Sequence, residues 1–285
     1  RLAMNFYEPN YRSLLKKILR HGASKPGRTG GTRYLFGETL KIRLQGGFPL
    51  LTGRKMHLKG ILAELACFIH GTELLSEYKA LGCNYWDSNA AAWALNKGKP
   101  AEEQSIGQYV GSLWRCFKAA DRDLSGLNST RDQLSTLLRE LRADPLSRRH
   151  VLAAWHPAAE SCLPPCTVMA IFNSDGKQLN CHVTQRSADM CLGVPTDVAQ
   201  YAALTHLLAD WAGLLPGDLM FTFVDAHIYD VHRPALEEYL KTPITRLPKL
   251  EFSDMYLGNP LMVMPDDFKI KDYVPGPKID FPFVV

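Results

Sequence analysis

Residues 56–70 place Leu58, Ile61, Leu62, Leu65 and Ile69 on one broad face at helical spacing, and Gly71 follows as a stop. A second apolar helical run, residues 198–211, ends at Gly213. Around these two core helices, residues 34–44, 150–155, 167–172, 178–184 and 219–224 read as strands, with Asp175-Gly176 as the turn before the fourth. Shorter helices are predicted over 10–20, 72–81 and 129–142, the last with Ser129 near its N-cap and Asp144-Pro145 at its end. Residues 228–239 read as a helix interrupted near its start by Pro234. Residues 21–32 form a Gly/Pro/Ser/Thr loop with Lys25 and Arg28, residues 96–105 and 121–128 are polar excursions, and the tail from 250 is strand and loop. Helix and strand never settle into a repeating cycle. That predicts an α+β fold rather than a nucleotide-binding βαβ array. No repeat or long linker divides the 285 residues, so one domain over residues 1–285 is expected.

Charge narrows the partners. Lys plus Arg total 33 and Asp plus Glu 29, a net charge of +4. That is too little to argue for nucleic acid without a clustered basic face, yet it suits a small anion. Apolar stretches break well before the ~18 residues that a bilayer span needs, and residues 2–7 are too short for a signal peptide. Seven cysteines, an odd number, predict a reduced, cytoplasmic chain; a secreted protein with one unpaired cysteine is the alternative. Neither a Gly-x-Gly-x-x-Gly nor a Walker A loop occurs, and no Cys-x-x-Cys, His-Glu-x-x-His or calcium-loop pattern supports a metal.

Several residues bear chemistry. Cys166 follows Pro164-Pro165 and precedes a strand, so a rigid turn could present its thiol as a nucleophile; an inert buried cysteine is the structural alternative. Arg28, Arg148, Arg149 and Arg186 carry planar guanidinium groups suited to phosphate, or are four surface arginines. Converging on Cys166, they would bind an anion and lower the thiol pKa. Glu64 lies among apolar residues of the first core helix, where partial burial would raise its pKa for proton transfer; a solvent-facing carboxylate is the common case. His227 and Tyr229 would share a face of an extended segment and reach a sugar or phosphate, or hydrogen-bond one another.

Together these segments resemble the thymidylate synthase superfamily from about residue 10 onward. The fragments are Gly27-Arg28-Thr29-Gly30, Gly47-Phe48-Pro49-Leu50, Glu64-Leu65, Leu163-Pro164-Pro165-Cys166, Gln185-Arg186-Ser187-Ala188-Asp189, Leu192-Gly193-Val194-Pro195, Pro216-Gly217-Asp218 and Asp225-Ala226-His227-Ile228-Tyr229. The resemblance implies an α+β subunit around a large mixed sheet flanked by helices. It also implies a homodimer in which Arg148 and Arg149 enter the partner's phosphate site. It makes Cys166 the nucleophile at pyrimidine C6 and Glu64 the proton-handling carboxylate. Arg28, Arg186 and Ser187 would hold the nucleotide phosphate, Gln185 would order that site, and His227 and Tyr229 would reach the sugar. Trp86, Asp189, Leu192, Gly193 and the terminal Val285 would serve the cosubstrate 5,10-methylenetetrahydrofolate.

Departures from that pattern set the expected substrate. Asp197 stands where the synthases carry an Asn that reads uracil. Cytosine reverses the demand, since its N3 accepts and its amino group donates. A protonated Asp offers one donor and one acceptor, and an ionised one could bind cytosine protonated at N3. The same replacement resembles the bacteriophage deoxycytidylate hydroxymethylases, as does Thr167 in place of a histidine. Thr196 replaces a phenylalanine, Tyr85 an aliphatic residue, Asn89 a tryptophan and His156 an asparagine, and Val110 falls at the catalytic tyrosine with Tyr109 adjacent. The expectation is 5-hydroxymethylation of CMP or dCMP by water addition in a wetter cleft. The alternatives are a deoxycytidylate methyltransferase, thymidylate synthase itself, and a non-enzymatic nucleotide- or RNA-binding regulator.

Overall fold

A computed structural model describes residues 6–27, 30–98, 104–122 and 128–284, excluding the side chains of 119–122 and 128–129. The chain runs through α1 (Tyr7–His21), β1 (Ala23–Gly27), β2 (Gly30–Arg43), α2 (Leu58–His70), α3 (Leu75–Leu81), α4 (Asp87–Asn96), α5 (Val110–Arg115), β3 (Phe117–Arg122) and β4 (Asn128–Arg131). It continues with α6 (Gln133–Ala143), β5 (Val151–Ala153), β6 (Thr167–Ser174), β7 (Gln178–Gln185), β8 (Ala188–Asp189), α7 (Gly193–Ala212), β9 (Leu215–Tyr229), α8 (Arg233–Tyr239), β10 (Lys249–Phe252) and β11 (Phe268–Lys271). The principal sheet has the order β1-β2-β9-β7-β6-β5, with β8 also on β9. It is mixed, because β9 runs parallel to β7 and β8 and antiparallel to β2.

The two core helices form as expected, and each ends on a left-handed glycine. Gly71 (φ 77°) returns its N–H to Cys67 O at 2.9 Å, a conformation only glycine takes cheaply. The α7 helix starts earlier than residue 198. Pro195 sits in its first turn, where the missing N–H has no helical partner to lose, so Asp197 belongs to the helix head. Alternation along β7 and β9 buries Leu179, Cys181 and Val183 with Leu219, Phe221 and Phe223 beneath α7. The opposite face shows half-buried Asn180, His182, Thr184, Met220 and Thr222.

Four local expectations are corrected. The 21–32 loop is the β1–β2 hairpin, with Gly27 paired to Gly30. The 129–142 helix starts at Gln133, because the Asp132 carboxylate accepts the Ser135 N–H at 2.9 Å; residues 128–131 pair with β3 instead. The 228–239 helix starts at Arg233, with Pro234 in its first turn, while Ile228 and Tyr229 finish β9. Helix α4, burying Ala90 and Ala94, occupies a stretch with no predicted element. Among the described residues, no helix is long and apolar enough to cross a membrane.

Candidate active site

Sheet register assembles the site. Thr167 lies opposite Gln185, and Arg186 N–H bonds Cys166 O at 2.9 Å, so the thiol sits where β6 and β7 open. Cys166 is exposed, as a nucleophile must be. Arg186 secures the proline turn before it, donating from Nε to Pro165 O and from Nη2 to Pro164 O, each at 3.0 Å. Its guanidinium lies 5.1 Å from the centroid of Trp155. The remaining N–H groups suit an anion beside the thiol. Ser187 follows, half-buried.

Glu64 lies inside α2, only 5% exposed, in a cage of donors. Tyr85 Oη at 2.6 Å and Gln200 Nε2 at 2.7 Å donate to Oε2, and Trp86 Nε1 at 2.6 Å donates to Oε1. Burial raises its pKa despite these three opposing hydrogen bonds. Trp86 therefore contacts this carboxylate directly. Gln200 and the Tyr85 hydroxyl were not legible as its partners, since only the packing of α2, α7 and the segment after α3 brings them together.

Asp197, at the head of α7, keeps part of its surface open, and its Oδ2 accepts Gln185 Nε2 at 2.6 Å. Burial pushes its carboxyl up to about 7; the Gln185 bond opposes the shift, while Glu64 and Asp189 add to it. Gln185 is fully buried and also reaches Thr167 Oγ1 at 3.3 Å, and Thr167 in turn bonds the Tyr201 hydroxyl. Gln185 thus serves the carboxyl of Asp197, whereas its expected place was the phosphate site. Its Oε1 is buried without a hydrogen bond. Tyr109 packs edge-on to Trp86 at 4.9 Å between centroids. Burial raises its phenol pKa, and charge on Cys166, Glu64 and Asp197 raises it further, so all three groups lie near the Tyr109 ring. Val110 is instead in the core.

The other expected residues form a second flank. Pairing of β8 with β9 puts Asp189 opposite His227, and β2 puts Tyr34 on His227's other side. His227 Nδ1 meets Asp225 Oδ1 at 2.9 Å, and its ring packs edge-on to Tyr229 at 4.9 Å. Asp225 also pairs with Lys25; burial pushes its pKa up, but His227 and Lys25 outweigh it and the net shift is down. Asp189 Oδ1 takes the N–H groups of Cys191 and Leu192 at 2.9 and 3.3 Å, fixing the turn into Gly193. Both Leu192 and Gly193 are partly exposed. Arg148 and Arg149 are exposed just ahead of β5. Arg28 and Val285 lie outside the described residues.

Two features qualify the expectations. Thr196 donates its hydroxyl to Leu192 O at 3.0 Å, and His156 Nδ1 accepts the Ala158 N–H at 3.1 Å, which occupies one polar site of each side chain. Asp189, Cys191 and His232 bring three potential ligand atoms within 4.8 Å, a grouping with no recognised sequence spacing. The guanidinium of Arg54, donating to Cys191 O, opposes a cation there.

A family model described as "Thymidylate synthase" matches residues 9–285. The chain is 36% identical over 291 residues to a protein of Zea mays named bifunctional dihydrofolate reductase-thymidylate synthase, covering 98% of this chain and 54% of that one. It thus spans about half the length of this relative. By the family match and this identity, the chain belongs to the thymidylate synthase family.

Proposed function

We propose that the protein is a folate-dependent pyrimidine nucleotide C5 transferase acting on cytidylate, CMP or dCMP, and that its product is the 5-hydroxymethyl nucleotide. The observation that carries the substrate is the half-buried Asp197 carboxyl, pushed up to about 7 and held through Oδ2 by Gln185. A donor on Oδ2 makes that oxygen the carbonyl-like one and leaves the proton to Oδ1. Such an acid offers O–H to cytosine N3 and C=O to the N4 amino group. Uracil would bring its own N3–H against the Oδ1 proton, and its O4 against an acceptor.

The donor set also fits a folate. Asp189 uses Oδ1 on its own turn, and its other oxygen remains an acceptor for a pterin's N–H groups, with Leu192, Gly193 and Trp86 as apolar walls. Methylenetetrahydrofolate, when bound, supplies the one-carbon unit. Cys166 Sγ adds to C6 of the base and makes C5 nucleophilic. Asp197 fixes the base edge over the thiol. Glu64, with its raised pKa, moves protons at the ring, and Tyr109 takes the place of the phenol that Val110 does not provide. Arg186 and Ser187 hold the phosphate beside Cys166, together with Arg28 and with Arg148 and Arg149 from a second copy across the half-polar sheet face. His227 and Tyr229 hold the sugar. Once the C5 proton is lost and tetrahydrofolate has left, the exocyclic methylene on cytosine would take up water rather than hydride, and the C6–Sγ bond would break to free Cys166 and restore the ring.

The family name and the named activity of the maize relative support a second reading, thymidylate synthesis from dUMP. Steady-state turnover of CMP, dCMP and dUMP, followed by product mass and dihydrofolate absorbance, separates the two. Efficient dUMP use with little cytidylate turnover overturns the role of Asp197. A methylated product with stoichiometric dihydrofolate overturns water addition.

A further inference from the structure

Glu64 is caged by three neutral hydrogen-bonding groups, and one differs from the others in kind. The Trp86 indole can only donate. The Gln200 amide is fixed with its nitrogen toward Glu64, because Nε2 also donates to Ile61 O at 3.2 Å, and turning it over would set oxygen against that carbonyl. The Tyr85 hydroxyl can both donate and accept. A second acceptor, Gly60 O, lies 3.3 Å from it, and the Cys83 thiol bonds it as well.

We propose that Tyr85 is the positioning residue that lets Glu64 gain and release a proton without moving: its O–H donates to Oε2 while Glu64 is ionised, then turns to Gly60 O so that its lone pair accepts the carboxyl O–H. The proton balance is simple. Glu64 takes one proton and later returns it, while Tyr85 keeps its own and only reorients. The inference rests on the proposed reaction for its purpose. With Tyr85 and Gln200 both fixed as donors to Oε2, a proton added at that oxygen would find no acceptor and would press against a donor hydrogen. A group that handles protons more than once per turnover needs a partner for each state.

The groups facing Glu64 are Cys67 on its own helix, Tyr78 on α3, Cys83 and Tyr85 after α3, Tyr109 ahead of α5, and Asp197 and Gln200 on α7. None of them is a cation; burial raises the Glu64 pKa, and among the three hydrogen bonds that oppose it the one from Tyr85 is the largest.

The test uses the ligand-free protein with carboxyl-13C glutamate, the Glu64 resonance being assigned by its loss in Glu64→Gln. In Tyr85→Phe the Glu64 midpoint rises by about one pH unit, because the charge-assisted bond lost by the anion outweighs the neutral bond lost by the acid. Fluorotyrosine placed at position 85 keeps the shape but is a stronger donor and weaker acceptor, so the midpoint falls. For whichever of CMP, dCMP and dUMP turns over, the acid limb of kcat follows the same two directions, while the nucleotide KM changes less than about threefold. Midpoints that stay fixed, or that move the same way in both variants, overturn the assignment. Absence of turnover with all three nucleotides defeats the proposed reaction, and the resonance still decides Tyr85.

Discussion

Asp197 is a carboxyl whose charge the fold resists and whose geometry the fold fixes, and that combination makes a sharp prediction. Replacing it as Asp197→Asn keeps the volume but supplies an amide that can accept from N3–H and donate to O4. The ratio of kcat/KM for dUMP over dCMP is expected to rise by about 100-fold or more, since two hydrogen bonds change sign. The same side chain also predicts a pH effect on folding. Its pKa is raised from 3.8 to about 7, so it contributes fully below pH 3.8, and that contribution is lost as pH rises through 7. Urea unfolding of the parent should therefore lose stability relative to Asp197→Asn over pH 4–7. The slope is at most about 1.4 kcal/mol per pH unit, lowered by water on the open side of the carboxyl. A difference independent of pH would contradict the buried acid. Cys166, Glu64 and Asp197 could be picked out from sequence because each stands in a distinctive local setting: a proline turn, an apolar helix face and a family motif. The Gln185–Asp197 bond could not, because β7 and α7 meet only in the folded chain.

At the scale of elements, the least legible tie is Glu8. It belongs to the amphipathic face of α1, where a glutamate ordinarily faces water. Here it is fully buried and accepts from Thr52 N and Oγ1 at 2.7 and 2.8 Å, Gly53 N at 2.9 Å and Tyr239 Oη at 2.7 Å, with Arg12 Nη2 at 3.2 Å. It therefore joins α1 to the strand-to-helix connection and to α8. Glu8→Ala leaves Arg12 without its carboxylate and two backbone amides without acceptors. Chemical denaturation is expected to show a loss of about 3 kcal/mol or more, and a loss below about 1 kcal/mol would show the knot to be incidental. The core helices α2 and α7 were readable because apolar periodicity and a terminal glycine are local signals. The β1–β2 hairpin was obscured by a turn-rich composition, and the start of α8 by Pro234, which opens a helix as readily as it breaks one.

For the whole molecule, the chemistry of the two exposed arginines depends on which subunit they serve. Arg148 and Arg149 stand immediately before β5, the edge strand of the sheet, while Cys166 and Arg186 sit at the mouth of β6 and β7. If a second copy covers the sheet's half-polar face, each pair of arginines completes the neighbouring site. Two inactive variants then discriminate the arrangement: Cys166→Ala, and the double change Arg148→Ala with Arg149→Ala. In a mixed dimer, one site carries both defects and the other carries neither, because intact arginines from the thiol-less subunit enter the site whose thiol is intact. Random reassortment of equal amounts makes half the dimers mixed, each with one working site, so activity should recover to about a quarter of the parent level. Were the arginines to act within their own subunit, every site would lack either the thiol or its anion clamp, and co-refolding the two variants would restore nothing.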